Sequence, residues 1–88
     1  SDILVTGTSS TVSTNAMALW KLDSDGALDT TFGGNDGAPA GVFLAPSAAG
    51  GNDDVGLDLE VAPDGSIIVV GESLGLAAFT DIAVWKVQ

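Results

Sequence analysis

Whatever chemistry this chain performs would fall to its carboxylates. Asp23, Asp25 and Asp29 stand in the run DSDGALD, a D-x-D-G-x-x-D spacing. Hard oxygens arranged around a glycine turn in this way can converge on one Ca²⁺, so these three are the candidate metal ligands. The spacing departs from the helix-loop-helix calcium template. Glycine comes at the fourth position instead of the sixth, and Gly34 stands where a bidentate Glu would be. The competing reading needs no ion: Asp23 and Asp25 accept backbone N–H groups in consecutive turns, while Leu28 and Phe32 plug the edge of a sheet. Asx-turn chemistry alone accounts for the Asp-Gly pairs, and that reading is preferred. A second acidic cluster, Asn52-Asp53-Asp54 with Asp58, has no regular spacing and reads as a solvated loop.

Other chemistries find less support. Paired carboxylates run glycoside hydrolysis, but nothing singles out such a pair here. Ser9-Ser10 and Thr30-Thr31 have no base beside them in the sequence, which argues against nucleophilic catalysis. Histidine and cysteine are absent, which removes the commonest general base, thiolate metal ligands and disulfides. Trp20 and Trp85 could stack on sugars, yet each lies mid-strand at an equivalent place in the chain, where an aromatic usually serves the core. The expectation is therefore a protein that is not an enzyme. No cofactor is implied except calcium at the acidic turn, and carbohydrate is a secondary ligand class.

Composition narrows the partners. Eighty-eight residues make one small domain with a thin core. Hydrophobic residues at 45% and charged residues at 16% are too apolar and too weakly charged a mixture for a disordered chain. A net charge of −10, with Lys21 and Lys86 the only cations, cannot neutralise a phosphate backbone and excludes nucleic acid as a partner. The same acidity disfavours anionic membrane surfaces. No apolar run approaches the ~20 residues needed to span a bilayer, so no membrane insertion is expected. Abundant Gly, Ala, Ser, Thr and Asp with no Cys lean towards an extracellular or cell-surface location. The chain opens at Ser1, without a methionine and almost directly in a strand, which reads as a processed chain or part of something longer.

The elements that must position these residues are strands. Asp2 to Gly7 is a β-branched run closed by glycine, and Thr8 to Asn15 reads as a linker. Met17 to Leu22 is the second strand, Asp23 to Gly41 a long turn region, and Val42 to Ala45 a third strand ended by Pro46. One helical turn is allowed around Leu28 to Phe32. Ser47 to Asp54 reads as a loop. Val55 to Ala62 alternates with period two, placing Val55, Leu57, Leu59 and Val61 opposite Gly56, Asp58, Glu60 and Ala62. Pro63-Asp64-Gly65 is the strongest turn, with Gly65 suited to the left-handed position of a tight hairpin. Ser66 to Gly71 is the return strand, Glu72 to Asp81 a loop, and Ile82 to Val87 the last strand.

The chain repeats itself. Ile3-Leu4-Val5-Thr6-Gly7 matches Ile67-Ile68-Val69-Val70-Gly71 at a separation of 64 residues, and Trp20-Lys21 matches Trp85-Lys86 at 65. Strands thus run A-B-C-D and then A-B again. A period above fifty with four short strands per copy indicates propeller blades or a related stacked β-repeat. The fold class is all-β: an antiparallel, propeller-blade-like repeat, slightly more than one unit long, with no substantial helix. It forms a single β-repeat domain over 1–88, divided as a partial copy 1–62, a hairpin turn 63–65 and a second partial copy 66–88.

The residues from Leu22 to Gly33, LDSDGALDTTFG, resemble the delta-60 repeat, a bacterial β-propeller repeat whose core reads roughly "aRlnaDGslDtsFG". Val61 to Gly71, VAPDGSIIVVG, is similar to that family's "vqpDGkilvaG". The two motifs occur in the family's order and cover most of one repeat. The chain departs in carrying Lys where Arg is usual and in its longer loops at Ser47 to Asp54 and Glu72 to Asp81. The acidic run also resembles the loops of integrin-type propeller repeats. The delta-60 resemblance implies a secreted or surface protein and assigns no catalytic residue. The function expected is a non-enzymatic structural or adhesive module that self-assembles into a ring or fibre, or belongs to a longer repeat protein. The alternative is a ligand-binding propeller segment using calcium or carbohydrate at its acidic loop face. One repeat and a half leaves open edges, so the expected partner is another copy or further repeats of the same polypeptide, joined by strand addition.

Overall fold

The computed structural model describes residues 2–10, 15–35, 38–45, 50–75 and 80–87. These form six strands: β1 (Ile3–Ser10), β2 (Asn15–Leu22), β3 (Val42–Ala45), β4 (Gly50–Val61), β5 (Ile67–Gly75) and β6 (Thr80–Val87). No helix occurs among the described residues. The chain is an all-β, propeller-blade-like repeat of slightly more than one unit. Its six strands are linked into one open sheet in the order β1-β2-β4-β5-β6, with β3 also paired to β2.

The connectivity divides this sheet into two antiparallel meanders. Strand β2 lies between β1 and β3, and β5 lies between β4 and β6. Among the described residues one parallel pairing, Asn15 with Asp53, joins the halves. There the sheet turns back on itself, and the two meanders pack face to face. The copies counted by sequence change at the hairpin 63–65, whereas the hydrogen-bonded groups change over between β3 and β4.

Alternation along each strand explains the core. Met17 and Leu19 of β2 face Ile67 and Val69 of β5 and Val87 of β6, and Phe32 completes the buried cluster. Leu4, Phe43, Leu59 and Trp85 pack around it. The molecule measures 41 × 29 × 16 Å, and its short dimension fits two sheets stacked about 10 Å apart. The opposite face of β2 carries a second cluster, Ala16 and Ala18 with Val42 and Leu44, against which Trp20 and Ala38 lie.

Several boundaries differ from those read in sequence. Strand β1 continues to Ser10, β4 begins at Gly50, β5 reaches Gly75 and β6 begins at Thr80. Serine and threonine at the strand ends signal a linker locally, yet Ser9 and Ser10 find cross-strand partners in Ala16 and Asn15, and Leu74 finds one in Thr80. Parts of the three expected loops, residues 11–14, 47–49 and 76–79, lie outside the described residues, as does Pro46 before the second. Where the sequence allows one helical turn, Leu28 bridges to Leu22 and a tight turn follows in which Phe32 N donates to the Asp29 carbonyl at 3.1 Å.

The period-two reading of β4 is also corrected. A register shift between Gly56 and Asp58 inserts a bulge, so Gly56 and Leu59 both face inward while Leu57 is left exposed. Gly56 comes close to Thr6 across the interface, and Gly71 lies directly against the Val55 carbonyl. The expected hairpin at Pro63-Asp64-Gly65 is present. Gly65 has φ 89°, its N–H donates to the Ala62 carbonyl at 2.9 Å, and Val61 pairs with Ile67 beyond it.

Candidate functional site

The acidic turn of residues 23–32 is held on β2. Asp29 N donates to the Lys21 carbonyl at 2.8 Å and Asp23 N to the Ala27 carbonyl at 2.7 Å, closing a loop against the strand end. Phe32 is buried beneath it, and the Lys21 ammonium lies 5.6 Å from the centre of its ring. The segment then returns along β3. Gly34 N donates to the Val42 carbonyl at 2.8 Å, and the Asn35 amide both donates to and accepts from the Leu44 backbone, at 2.7 and 3.0 Å. Asn35 thus satisfies the outer edge of β3 as a neighbouring strand would.

Within this loop Asp23 Oδ1 accepts the backbone N–H of Asp25 at 2.9 Å and of Ala27 at 3.0 Å. Asp29 Oδ1 accepts the Thr31 N–H at 3.0 Å and the Thr31 hydroxyl at 2.6 Å, while its Oδ2 lies 3.6 Å from the Lys21 ammonium. Lys21 also pairs with Asp2 at 3.6 Å. The Thr31 hydroxyl and amide, helped by Lys21, hold the Asp29 carboxyl below its ordinary pKa. These are Asx turns. Among the described residues no group of three acidic side chains is placed to hold a metal ion, so Asp23, Asp25 and Asp29 are not brought together.

The hairpin repeats this chemistry in miniature. Asp64 Oδ1 accepts the Ser66 N–H at 2.9 Å and its hydroxyl at 2.6 Å, with Lys86 3.9 Å from Oδ2. The Ser66 donors depress the Asp64 pKa in the same direction. Lys21 and Lys86, the equivalent lysines, each neutralise the carboxylate of a turn.

Sequence reading assigned the second acidic cluster to a loop, but Asp53 and Asp54 stand in β4. Asp54 is buried; Ser73 Oγ donates to its carboxylate at 2.5 Å, and Thr8 Oγ1 donates to its backbone carbonyl at 2.8 Å. Asn15 Nδ2 donates to the Asp53 carboxylate at 2.5 Å, and Asn15 Oδ1 accepts from the Ser10 hydroxyl at 2.7 Å. These polar bonds fasten the single junction between the two halves. A shallow cleft of about 360 Å³ opens there, lined by Thr8, Asn15, Asp53, Asp54, Glu72 and Thr80. Its walls mix acidic and hydroxyl groups with the apolar side chains of Val55 and Leu74. The signal that could have located it was the pairing of Asn15 with Asp53, which lie 38 residues apart in the chain.

The tryptophans differ from each other although their sequence positions match. Trp85 packs in the core between the sheets, whereas Trp20 lies on the outward face of β2, with its ring edge 3.8 Å from where a Cβ on Gly7 would stand. Both are half-buried.

The all-β architecture is that of a propeller-blade-like repeat. Residues 2–32, which span β1, β2 and the acidic turn through Phe32, match the model of a family described as domain of unknown function (DUF5122) beta-propeller. No curated protein and no solved structure matches the chain.

Proposed function

We propose that the chain is a non-enzymatic structural or adhesive module of the delta-60 repeat kind, acting outside the cell or at its surface by joining further copies of the same unit. One observation carries this reading. Strand β5 is paired on both sides, by β4 and β6, but among the described residues its sequence equivalent β1 is paired only to β2. Likewise β2 is flanked by β1 and β3, while its equivalent β6 pairs only with β5 among the described residues. Each terminal strand lacks a neighbour that its counterpart has, and unpaired strand edges seek partners. The wide use of acidic side chains as turn acceptors supports a scaffold role over a catalytic one.

Light scattering on the 88-residue chain, over a broad concentration range, tests the proposal. A mass that grows with concentration supports joining of copies. A cooperatively folded chain that stays monomeric throughout refutes it.

A further inference from the structure

We infer that Asp25-Gly26 is a site of spontaneous isoaspartate formation, and that the fold protects the step Asp64-Gly65 from the same reaction. The two steps sit in turns of one geometry. Asp23 N donates to the Ala27 carbonyl at 2.7 Å and Gly26 N to the Asp23 carbonyl at 3.0 Å. In the hairpin Ala62 N donates to the Ser66 carbonyl at 2.8 Å and Gly65 N to the Ala62 carbonyl at 2.9 Å. Gly26 has φ 88° and Gly65 φ 89°, and both steps are exposed. Solvent access and the backbone nitrogen of the glycine are thus alike. The carboxyls are not. Asp64 Oδ1 accepts both the N–H and the hydroxyl of Ser66, with Lys86 beside Oδ2. In the acidic turn the residue equivalent to Ser66 is Ala27, which has no hydroxyl, and its N–H is taken by Asp23 Oδ1 at 3.0 Å. Among the described residues the Asp25 carboxyl has no hydrogen-bond or ion-pair partner.

The reaction needs only these atoms and water. The Gly26 nitrogen bonds to Asp25 Cγ and gives up its proton, the carboxyl loses its hydroxyl, and the two depart as water while a succinimide ring closes. Water then re-enters. Cleavage of the Cγ–N bond restores Asp25. Cleavage of the bond between the Asp25 main-chain carbonyl carbon and that nitrogen leaves the chain running through Cβ and Cγ, an isoaspartyl residue of unchanged mass. Glycine, with no Cβ, leaves the attacking nitrogen uncrowded. Ring closure requires a carboxyl that is protonated and able to swing towards that nitrogen. Ser66 opposes both at Asp64, because its two donors favour the ionised form, lower the pKa and fix the side chain's direction. Asp25 carries neither restraint. The product inserts an extra carbon into the main chain within the loop that Asp23 and Ala27 close. The acidic turn therefore loosens on β2 while the hairpin keeps its register.

Ageing the 88-residue chain in mildly acidic buffer tests this. Endoproteinase Asp-N cuts before aspartate but not before isoaspartate. Cleavage lost at residue 25 or at residue 64, read by mass spectrometry after digestion, therefore reports each step separately. Isoaspartate should accumulate at Asp25 at least about tenfold faster than at Asp64, a barrier difference of about 1.4 kcal/mol. In concentrated urea the two rates should converge, because only the folded chain holds the Asp64 carboxyl. Ser66→Ala should raise the Asp64 rate towards that of Asp25, with circular dichroism verifying the fold. Should that variant not fold, the comparison between native buffer and urea decides. A smaller difference between the steps in the folded chain, a bias that survives in urea, or no isoaspartate at Asp25 overturns the proposal. An unchanged Asp64 rate in folded Ser66→Ala overturns the protection assigned to Ser66.

Discussion

Two glycine-to-alanine changes, chemically identical, should cost different amounts for different reasons. Gly65 sits at φ 89° with nothing within 4 Å of an added Cβ, so Gly65→Ala meets only backbone strain. A left-handed residue with a side chain costs about 1–2 kcal/mol. Gly71 lies in β5 opposite Gly56, at the bulge of β4, and an added Cβ would run into the Val55 carbonyl oxygen while standing 3.0 Å from the Gly56 Cα. Both obstacles are backbone, so no rotamer relieves them. Separating the strands there adds an overpacking cost of about 1–3 kcal/mol to a lost hydrogen bond of about 1 kcal/mol. Gly71→Ala should therefore cost about 3 kcal/mol, a large part of the roughly 4–13 kcal/mol expected for 88 residues. Gly56→Ala should fall between the two, since its obstacle is the Thr6 hydroxyl, a side-chain group that can move by giving up its 3.0 Å bond to the Ala18 carbonyl. Urea unfolding, followed by circular dichroism at a concentration where the mass is constant, measures all three; the slopes should agree and the midpoints separate. A Gly71→Ala midpoint at or above that of Gly65→Ala would refute the close approach at the bulge.

Trp85→Ala should destabilise the unassembled chain by about 3 kcal/mol as a core truncation, and Trp20→Ala by about half as much, because Trp20 packs on the outward cluster alone. Chemical denaturation of the two variants checks the order, and equal losses would contradict the opposite facing of the rings. Asp29 and Asp64 have folded pKa values below the ordinary carboxylate value. The stability they contribute is therefore complete above an unfolded pKa of about 3.9 and is lost as pH falls through the lower folded values. The melting midpoint should hold from neutrality to about pH 5 and fall below about pH 4, with Asp64→Asn flattening the acid limb relative to the unaltered chain. An acid limb unchanged in Asp64→Asn would remove that carboxylate from the account.

The parts of this fold legible in sequence are those set by local rules. Pro63-Asp64-Gly65 predicts its hairpin because proline presets one dihedral and glycine permits the other, and both act within three residues. The repeat is legible because Ile3 to Gly7 and Trp20-Lys21 recur in order, which needs no knowledge of contacts. The Asx turn at Asp23 likewise follows from a side chain reaching backbone two to four residues on, whereas the second turn is made by Asp29 and not by the expected Asp25. Where sequence reading fell short, the deciding partner was distant. The alternation of Val55, Leu57, Leu59 and Val61 continues through the bulge without a break. Only the crowding of Gly56 against Thr6 and Val69, from two other strands, marks where the register shifts. Ser9, Ser10 and Thr80 read as loop until Ala16, Asn15 and Leu74 pair with them. Asp54 reads as a solvated acid until Ser73, nineteen residues away, meets it in the interior. The facing of the tryptophans belongs to the same class. Repetition states that Trp20 and Trp85 do equivalent things, and the structure agrees in register while differing in cover. Trp85 packs against the cluster that joins the two meanders, and Trp20 against Ala16, Ala18, Val42 and Leu44 on the other face of β2.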